Sequence, residues 1–97
     1  MKDFKLTKQA FKQLKKLAKS DLQTAKRIKM AILLIREGRL SGESLQGYSD
    51  FFKIRIGKFR LIHTTINGIL IIAIIEKRET VYSTFKHLYD SSGFLDI

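Results

Sequence analysis

The spacing of apolar residues changes at Gly47. Before this glycine, apolar residues recur every three or four positions in two segments, which predicts two amphipathic helices. Thr7 can cap the first helix, and Ser20 with Gln23 fits a capping box at the start of the second, which Gly38 can terminate. The apolar positions are Ala10, Phe11, Leu14, Leu17 and Ala18 in the first helix and Leu22, Ala25, Ile28, Ile32 and Ile35 in the second. We expect these helices to form a hairpin with one apolar face to bury.

After the glycine, apolar and polar residues alternate, which is typical of strands. The first strand covers Phe52–Ile56 and is followed by a possible two-residue turn, Gly57-Lys58. The second covers Phe59–Thr64, and Asn67-Gly68 is a strong hairpin signal after it. The run Ile69–Ile75 is almost continuously β-branched, as expected of a strand that is covered on both faces. These segments predict a three-stranded antiparallel meander.

Shorter elements are predicted at the two ends of the chain. Phe4-Lys5-Leu6 can supply a first strand, Ser83–Leu88 a short helix, and residues 89–97 a flexible tail. No proline, low-complexity stretch or repeat marks a linker, so residues 1–97 are predicted to form one domain. The predicted fold class is α+β in the order β-α-α-β-β-β with a short C-terminal helix, an antiparallel sheet packed against a two-helix hairpin.

If both hairpin turns contain two residues, the register of the meander follows. Arg55 faces Arg60, Lys53 faces Ile62, and Arg60 faces Ile75. Lys53, Arg55 and Arg60 then project from one face of the sheet. The side chains expected on the other face are Phe52, Ile54, Ile56, Phe59, Leu61, Leu70, Ile72 and Ile74. His63 shares this second face and is predicted to be a core histidine rather than a catalytic one.

The cationic face also carries apolar side chains. They are Ile62, Ile71, Ala73 and Ile75. We expect either the C-terminal element, through Phe85, Leu88, Phe94 and Leu95, or a partner protein to cover them.

The basic residues are concentrated in two places. The formal net charge is +10, residues 1–40 contribute twelve basic and three acidic residues, and residues 41–97 contribute seven and six. Four of those seven lie in one short run, Lys53 to Arg60, without an intervening acid. Neighbouring cations on a sheet repel one another unless an anion offsets them, which favours an anion site over a merely solvated face. A strongly basic surface favours nucleic acid or an acidic partner.

Composition excludes several other classes of protein. The chain has no cysteine and two histidines, so it lacks the usual ligands of a zinc site, and we expect neither a metal nor a cofactor. The longest apolar run is far shorter than the roughly 20 residues of a membrane-spanning helix, and the N-terminus lacks an apolar export segment. A cytoplasmic protein without membrane attachment is expected.

Several motifs together resemble the RelE/ParE superfamily of toxin–antitoxin toxins, and the RelE branch in particular. They are Leu45-Gln46-Gly47, Phe52-Lys53-Ile54-Arg55-Ile56, Gly57-Lys58-Phe59-Arg60-Leu61-Ile62, Lys77-Arg78-Glu79 and Val81-Tyr82-Ser83. The resemblance covers residues 2 to about 88. It implies a type II toxin that acts as a ribosome-dependent, metal-independent endoribonuclease on mRNA, through attack of a ribose 2′-hydroxyl on the adjacent phosphate.

The resemblance also assigns residues. Lys53, Arg60, Arg78 and Tyr82 match the family's catalytic set, and Arg55, Lys58 and Lys77 are predicted to bind RNA. Arg55 departs from the best-known pattern, which has a second lysine there. Arginine is a poor proton acceptor, so any base function on that strand falls to Lys53. Sister toxins use a histidine or a glutamate as acid or base, which has no clear match in this sequence, although Glu76 and Glu79 lie nearby along the chain.

Two other functions remain open. A ParE-like toxin shares the fold but inhibits DNA gyrase by binding, and a non-catalytic nucleic-acid-binding relative would have lost activity. The expected partners are a cognate acidic antitoxin, with which the chain can form a hetero-oligomer, and the ribosome with its mRNA. No partner in a membrane is expected.

Overall fold

Three helices and five strands lie within residues 3–91, which are the residues that the computed structural model describes. In chain order they are β1 (Phe4–Leu6), α1 (Lys8–Ser20), α2 (Leu22–Arg36), β2 (Glu43–Leu45), β3 (Tyr48–Ile56), β4 (Phe59–Ile66), β5 (Ile69–Lys77) and α3 (Val81–Asp90). The predicted α+β class and the predicted order of elements are confirmed, with β2 as an additional strand.

The strands form a single sheet in the order β1-β5-β4-β3-β2. The meander β3-β4-β5 lies at its centre, as predicted, but β1 pairs with β5 in parallel, so the sheet is mixed rather than purely antiparallel. At the other edge, β2 pairs with β3 across the tight connection Gln46-Gly47, in which Gly47 has a φ of 85°. A three-residue strand with one buried residue, Leu45, is too short for alternation to reveal it.

Capping side chains define the two long helices. The Thr7 hydroxyl accepts a hydrogen bond from the Ala10 amide at 3.1 Å, which confirms the predicted cap of α1. The predicted capping box of α2 is wrong, because Ser20 still belongs to α1 and Asp21 caps α2 by accepting hydrogen bonds from Thr24. These bonds, together with nearby Lys58 and Arg27, lower the pKa of the Asp21 carboxyl.

The sheet separates two apolar layers. On one face α1 and α2 pack over a cluster of Ala10, Leu14, Leu17, Ala25, Ile28, Ala31, Ile32, Ile54, Ile56, Phe59, Leu61, Leu70, Ile72 and Ile75. On the other face α3 covers Leu45, Ile62, Ala73 and Ile74 with Val81 and Phe85. Phe11 and Leu22, which were expected on the apolar faces of the helices, are 56% and 53% exposed, and Ala18 is exposed as well.

A β-bulge in β5 changes the predicted register. His63 pairs with Ile72 but Ile62 pairs with Ile74, so Ala73 is an extra residue in β5. Arg60 consequently faces Glu76, and not Ile75 as uninterrupted alternation predicted. The bulge also exchanges the faces of two side chains, because Ile75 joins the cluster under α1 and α2 whereas Ile74 lies under α3.

Two side chains at the start of α1, one from its cap and one from its first turn, hydrogen-bond to the bulge. The Thr7 hydroxyl donates to the Ala73 carbonyl at 2.6 Å. The Gln9 amide donates to the Ile75 carbonyl at 3.0 Å and accepts from the Ile75 amide at 3.1 Å. These groups lie just beyond the last pair between β1 and β5, Leu6 with Ile72, so side chains replace the strand partner that β1 no longer provides.

The third helix covers the apolar patch on the cationic side of the sheet. Phe85 is 1% exposed and meets the rings of Tyr48 and Phe51 edge-on, with each pair of centroids 4.9 Å apart. Of the four residues predicted for this patch, the C-terminal element covers Ile62 and Ala73 through Phe85 and Leu88, as one of the two alternatives predicted, whereas Ile75 lies on the other face. Since α3 ends at Asp90, it extends into the segment predicted to be a tail, and Tyr89 packs on Tyr48. Residues 92–97, with Phe94 and Leu95, lie outside the described residues.

His63 is buried, which confirms its assignment to the core. Its ring stacks on Phe52 with centroids 5.6 Å apart, and its Nε2 has no hydrogen-bond partner among residues 3–91. A Cβ at Gly42 would lie 3.1 Å from this nitrogen and 2.8 Å from the Lys53 carbonyl, so the loop before β2 needs glycine there. Burial lowers the pKa of His63 to about 4.

Replacement of Phe85 by alanine tests whether α3 belongs to the folded core. We expect Phe85→Ala to lower the free energy of unfolding by about 3–5 kcal/mol, because it leaves a cavity among aromatic rings. The matched control Phe11→Ala, at an exposed position of α1, should cost less than about 1 kcal/mol. Urea unfolding followed by circular dichroism measures both, and equal effects would show that α3 does not stabilise the sheet.

The buried histidine predicts a specific dependence of stability on pH. The pKa of His63 is lower in the folded chain than in the unfolded chain. The stabilisation that comes from keeping His63 neutral is therefore fully present above about pH 6.5 and is lost as the pH falls toward 4. Between pH 7 and pH 5 we expect the wild type to lose about 2 kcal/mol more than His63→Gln, which cannot titrate. Parallel curves for the two proteins in denaturant titrations at each pH would contradict this.

Candidate functional site

A cationic groove lies on the face of the sheet that carries α3. It is a cavity of about 340 Å³ between the loop before β2, the strands β3 and β4, and the first turn of α3. Its polar lining consists of Ser41, Glu43, Lys53, Arg55, Arg60 and Tyr82. The prediction that the cations of the meander share one surface is therefore confirmed, and the groove also brings Tyr82 to them. The roles of these residues stay predictions.

Two rows of cross-strand neighbours build the groove. In the first row Glu43 of β2 faces Lys53 of β3, and in the second Arg55 faces Arg60 and Arg60 faces Glu76. Directly opposed side chains on a sheet lie about 5 Å apart, so each row places unlike charges side by side and the second also places two guanidinium groups together. Neither acid forms an ion pair with the cation opposite it in the part of the chain that the structure describes.

Lys53 and Tyr82 are in direct contact. The Lys53 ammonium lies 5.7 Å from the centroid of the Tyr82 ring, a cation–π arrangement between β3 and α3. Tyr82 is 43% exposed, which leaves part of its ring accessible from the groove. The contact holds the ammonium group between the sheet and the helix.

Arg60 is oriented by its own hairpin. Its Nη1 donates to the carbonyl oxygens of Gly57 at 3.1 Å and Phe59 at 2.9 Å. These two bonds hold one side of the planar guanidinium, which carries three further N–H donors on Nε and Nη2. A guanidinium fixed in this way is suited to grip an anion with two parallel hydrogen bonds.

Glu43 is a groove residue that the sequence did not suggest. Its only signal was its position two residues before Leu45, the buried residue of β2. Neither acid considered from sequence is in the lining of the cavity. Glu76 lies opposite Arg60 but accepts hydrogen bonds from the Lys77 amide at 3.3 Å and the Thr84 hydroxyl at 3.5 Å, and Glu79 is exposed in the turn after β5. Glu43 is thus the carboxylate that lines the same cavity as Lys53 and Arg60.

The remaining predicted residues lie around the groove and not in its lining. Arg78 is exposed, and its backbone amide donates to the Lys58 carbonyl at 3.0 Å, which places both residues at the β3–β4 turn end of the sheet. Lys77 pairs with Phe59, which belongs to the layer under α1 and α2. Its side chain therefore leaves the sheet on the face opposite the groove. Lys53, Arg55, Arg60 and Tyr82 are brought together, whereas Arg78, Lys58 and Lys77 are not.

Residues 3–91 contain neither a cluster of metal-ligating side chains nor a helix that could span a membrane. Histidine, aspartate and glutamate side chains of this range do not gather in groups of three or more that could hold a metal ion. No helix within it is both long and apolar enough to cross a membrane.

Solved structures of toxins share this fold. The YoeB dimer from Staphylococcus aureus is 21% identical and superposes with a TM-score of 0.70 over 79% of this chain and 97% of that chain. The E. coli DinJ-YafQ toxin–antitoxin complex gives 17% identity and a TM-score of 0.68, covering 84% and 97%. The RelB-RelE antitoxin–toxin complex from Methanococcus jannaschii gives 22% and 0.66, covering 82% and 96%. At these identities the likeness establishes the fold.

The family follows from a comparison of the sequence itself. No curated protein sequence matches the chain. The model of the ParE toxin of the type II toxin–antitoxin system parDE, however, matches residues 4–81, which extend from β1 to the first residue of α3. This confirms the resemblance to the RelE/ParE superfamily, and the chain belongs to the ParE toxin family of type II toxin–antitoxin systems.

Proposed function

We propose that this toxin is a metal-independent endoribonuclease that cleaves mRNA on the ribosome. The observation that carries the proposal is the convergence of Lys53, Arg55 and Arg60 in one groove with Tyr82 and Glu43. Cations at this spacing suit a phosphodiester, an adjacent ring suits a base, and a carboxylate beside an ammonium group suits proton transfer.

The reaction needs no external nucleophile. The 2′-oxygen of a ribose attacks the adjacent phosphorus and loses its proton to a base, while the bond from phosphorus to the 5′-oxygen breaks and that oxygen gains a proton from an acid. The products are a 2′,3′-cyclic phosphate and a 5′-hydroxyl. Because the nucleophile belongs to the RNA, the protein must align the chain in line, transfer two protons and stabilise the phosphorane.

Arg60 is suited to stabilise the phosphorane. Its guanidinium is held by the Gly57 and Phe59 carbonyl oxygens, so it needs little reorganisation when charge develops on the phosphate. Arg55 lies directly opposite on β3 and can bind a neighbouring phosphate. Arg78 lies at the end of the sheet where β3 and β4 are joined by their turn. Its side chain is proposed to reach the same RNA from outside the groove.

Glu43 and Lys53 form the proposed acid–base pair. An ionised carboxylate only accepts hydrogen bonds and an ammonium group only donates them, so the cross-strand pair offers a proton acceptor and a proton donor side by side. We therefore assign the 2′-hydroxyl proton to Glu43 and protonation of the leaving 5′-oxygen to Lys53, in place of the base function that the sequence suggested for Lys53. Tyr82 orients Lys53 through the cation–π contact and offers its exposed ring to a base.

The proposed partners follow from charge and from the relatives. A chain with a net charge of +10 attracts ribosomal RNA and an acidic antitoxin alike. Two of the similar structures are complexes of a toxin with its antitoxin. We propose that this cytoplasmic toxin likewise pairs with a cognate acidic antitoxin, and that the ribosome supplies the substrate positioning that a shallow groove cannot.

Inhibition of DNA gyrase is the second candidate function. It is favoured by the match to the ParE family model over most of the chain. A supercoiling assay with purified gyrase, run beside primer extension on translated mRNA, separates the two functions. Inhibition of supercoiling without mRNA cleavage supports the gyrase function, and cleavage without inhibition supports the nuclease.

Arg60→Ala tests the role of the groove in catalysis. We expect cleavage of ribosome-bound mRNA to slow by about 100-fold or more, because one preorganised donor to the phosphorane is lost. Arg39→Ala removes a guanidinium that is exposed in the loop after α2 and should stay within about twofold of the wild type. Primer extension gives both rates, and an unchanged rate for Arg60→Ala would exclude the assigned role.

Glu43→Gln tests the assignment of the base. The amide preserves shape but cannot take up the proton, so we expect a loss of at least about 100-fold in the single-turnover rate at saturating ribosomes. The control Glu37→Gln changes a carboxylate at the end of α2 and should leave the rate unchanged. Full activity of Glu43→Gln together with inactivity of Lys53→Ala would return the base function to Lys53.

A further inference from the structure

A second cavity opens beside the cationic groove. It measures about 430 Å³ and lies between the β2–β3 connection and α3. Lys53 and Tyr82 line both cavities, so the second one is a side compartment of the groove and not a separate pocket.

The lining of this compartment combines an apolar floor with a polar rim. Leu45 and Phe85 are both buried, and Tyr48 packs edge-on to Phe85 with ring centroids 4.9 Å apart. The rim carries an amide and an ammonium group, those of Gln46 and Lys86, and both residues are exposed. An unstacked nucleobase requires this combination, since its faces pack on aromatic and aliphatic groups while its edge forms hydrogen bonds.

We propose that this compartment binds the nucleobase next to the phosphate held in the groove. The inference rests on the proposed function, because it requires RNA in the groove. Because Lys53 and Tyr82 line both cavities, an RNA phosphate bound by Lys53 in the groove would bring the adjacent base to the side compartment. Lys53 and Lys86 complement the charge of the phosphates on either side of that base.

Gln46 is the residue that distinguishes one base from another. It lies in the two-residue connection between β2 and β3. The chain reverses direction there because Gly47 adopts a positive φ. Its amide offers one donor and one acceptor side by side, which matches the N6 and N7 groups of adenine. Adenine is therefore the base assigned to the compartment, and uracil, whose N3 and O4 also offer one donor beside one acceptor, is the competing base in the test.

Binding of uncleavable RNA tests this inference without depending on cleavage. The full chain is titrated with 2′-O-methyl dinucleotides that carry adenine, uracil or no base at the position under test, while amide shifts of Tyr48 and Phe85 are followed by NMR. We expect the adenine form to bind at least about fivefold tighter than the other two, the lower end of the range for a good bidentate pair. Gln46→Ala should abolish this preference, whereas Gln23→Ala, an exposed glutamine of α2, should retain it.

The outcomes separate the compartment from the nuclease function. Equal affinity for the abasic dinucleotide, or an undiminished adenine preference in Gln46→Ala, overturns the base site. Selective binding of adenine that depends on Gln46 supports the base site even if the toxin leaves translated mRNA intact, a result that would overturn only the nuclease. If the toxin cleaves, Gln46→Ala should still cleave but with a changed base preference beside the cut, and an unchanged preference counts against the site.

Discussion

The hydrogen bonds from Thr7, the cap of α1, and from Gln9 of α1 to β5 stabilise the bulge that decides which residue of β5 lies opposite Arg60. They satisfy the backbone groups of Ala73 and Ile75 at the point where β1 ends and β5 bulges. Without the extra residue at Ala73, an isoleucine and not Glu76 would lie opposite Arg60. A contact between the start of the first helix and the last strand thus accompanies the placement of an acid opposite Arg60 on the other face of the sheet.

The face of the sheet that carries the groove has both charged side chains, which require solvent or an anion, and apolar side chains, which require burial. The third helix resolves this by covering the apolar part with Phe85 while its first turn presents Tyr82 to Lys53. The cations that remain uncovered are flanked by Glu43 and by Glu76 of the neighbouring strands. Stability and the candidate site therefore depend on the same helix.

Much of this arrangement could be predicted from local pattern. The two-residue turn at Gly57-Lys58 was sufficient to place Arg55 opposite Arg60 and Lys53 opposite Ile62. The burial of His63 also followed, because its position in the alternation puts it among apolar neighbours. The cap of α2 did not follow: Ser20 and Asp21 are both good caps, and the length of α1 decides between them.

The sequence by itself determined the class of fold, the cationic face of β3 and the family, because periodicity, turn residues and short motifs are local properties of the chain. Tertiary structure alone decided the bulge at Ala73, the pairing of Glu43 with Lys53, and the side of the sheet from which Lys77 starts. Each of these depends on contacts between segments that are distant in sequence or too short to carry a period. A prediction from alternation assumes that every residue of a strand is paired. It therefore misses an extra residue when the contacts that stabilise it come from a distant part of the chain.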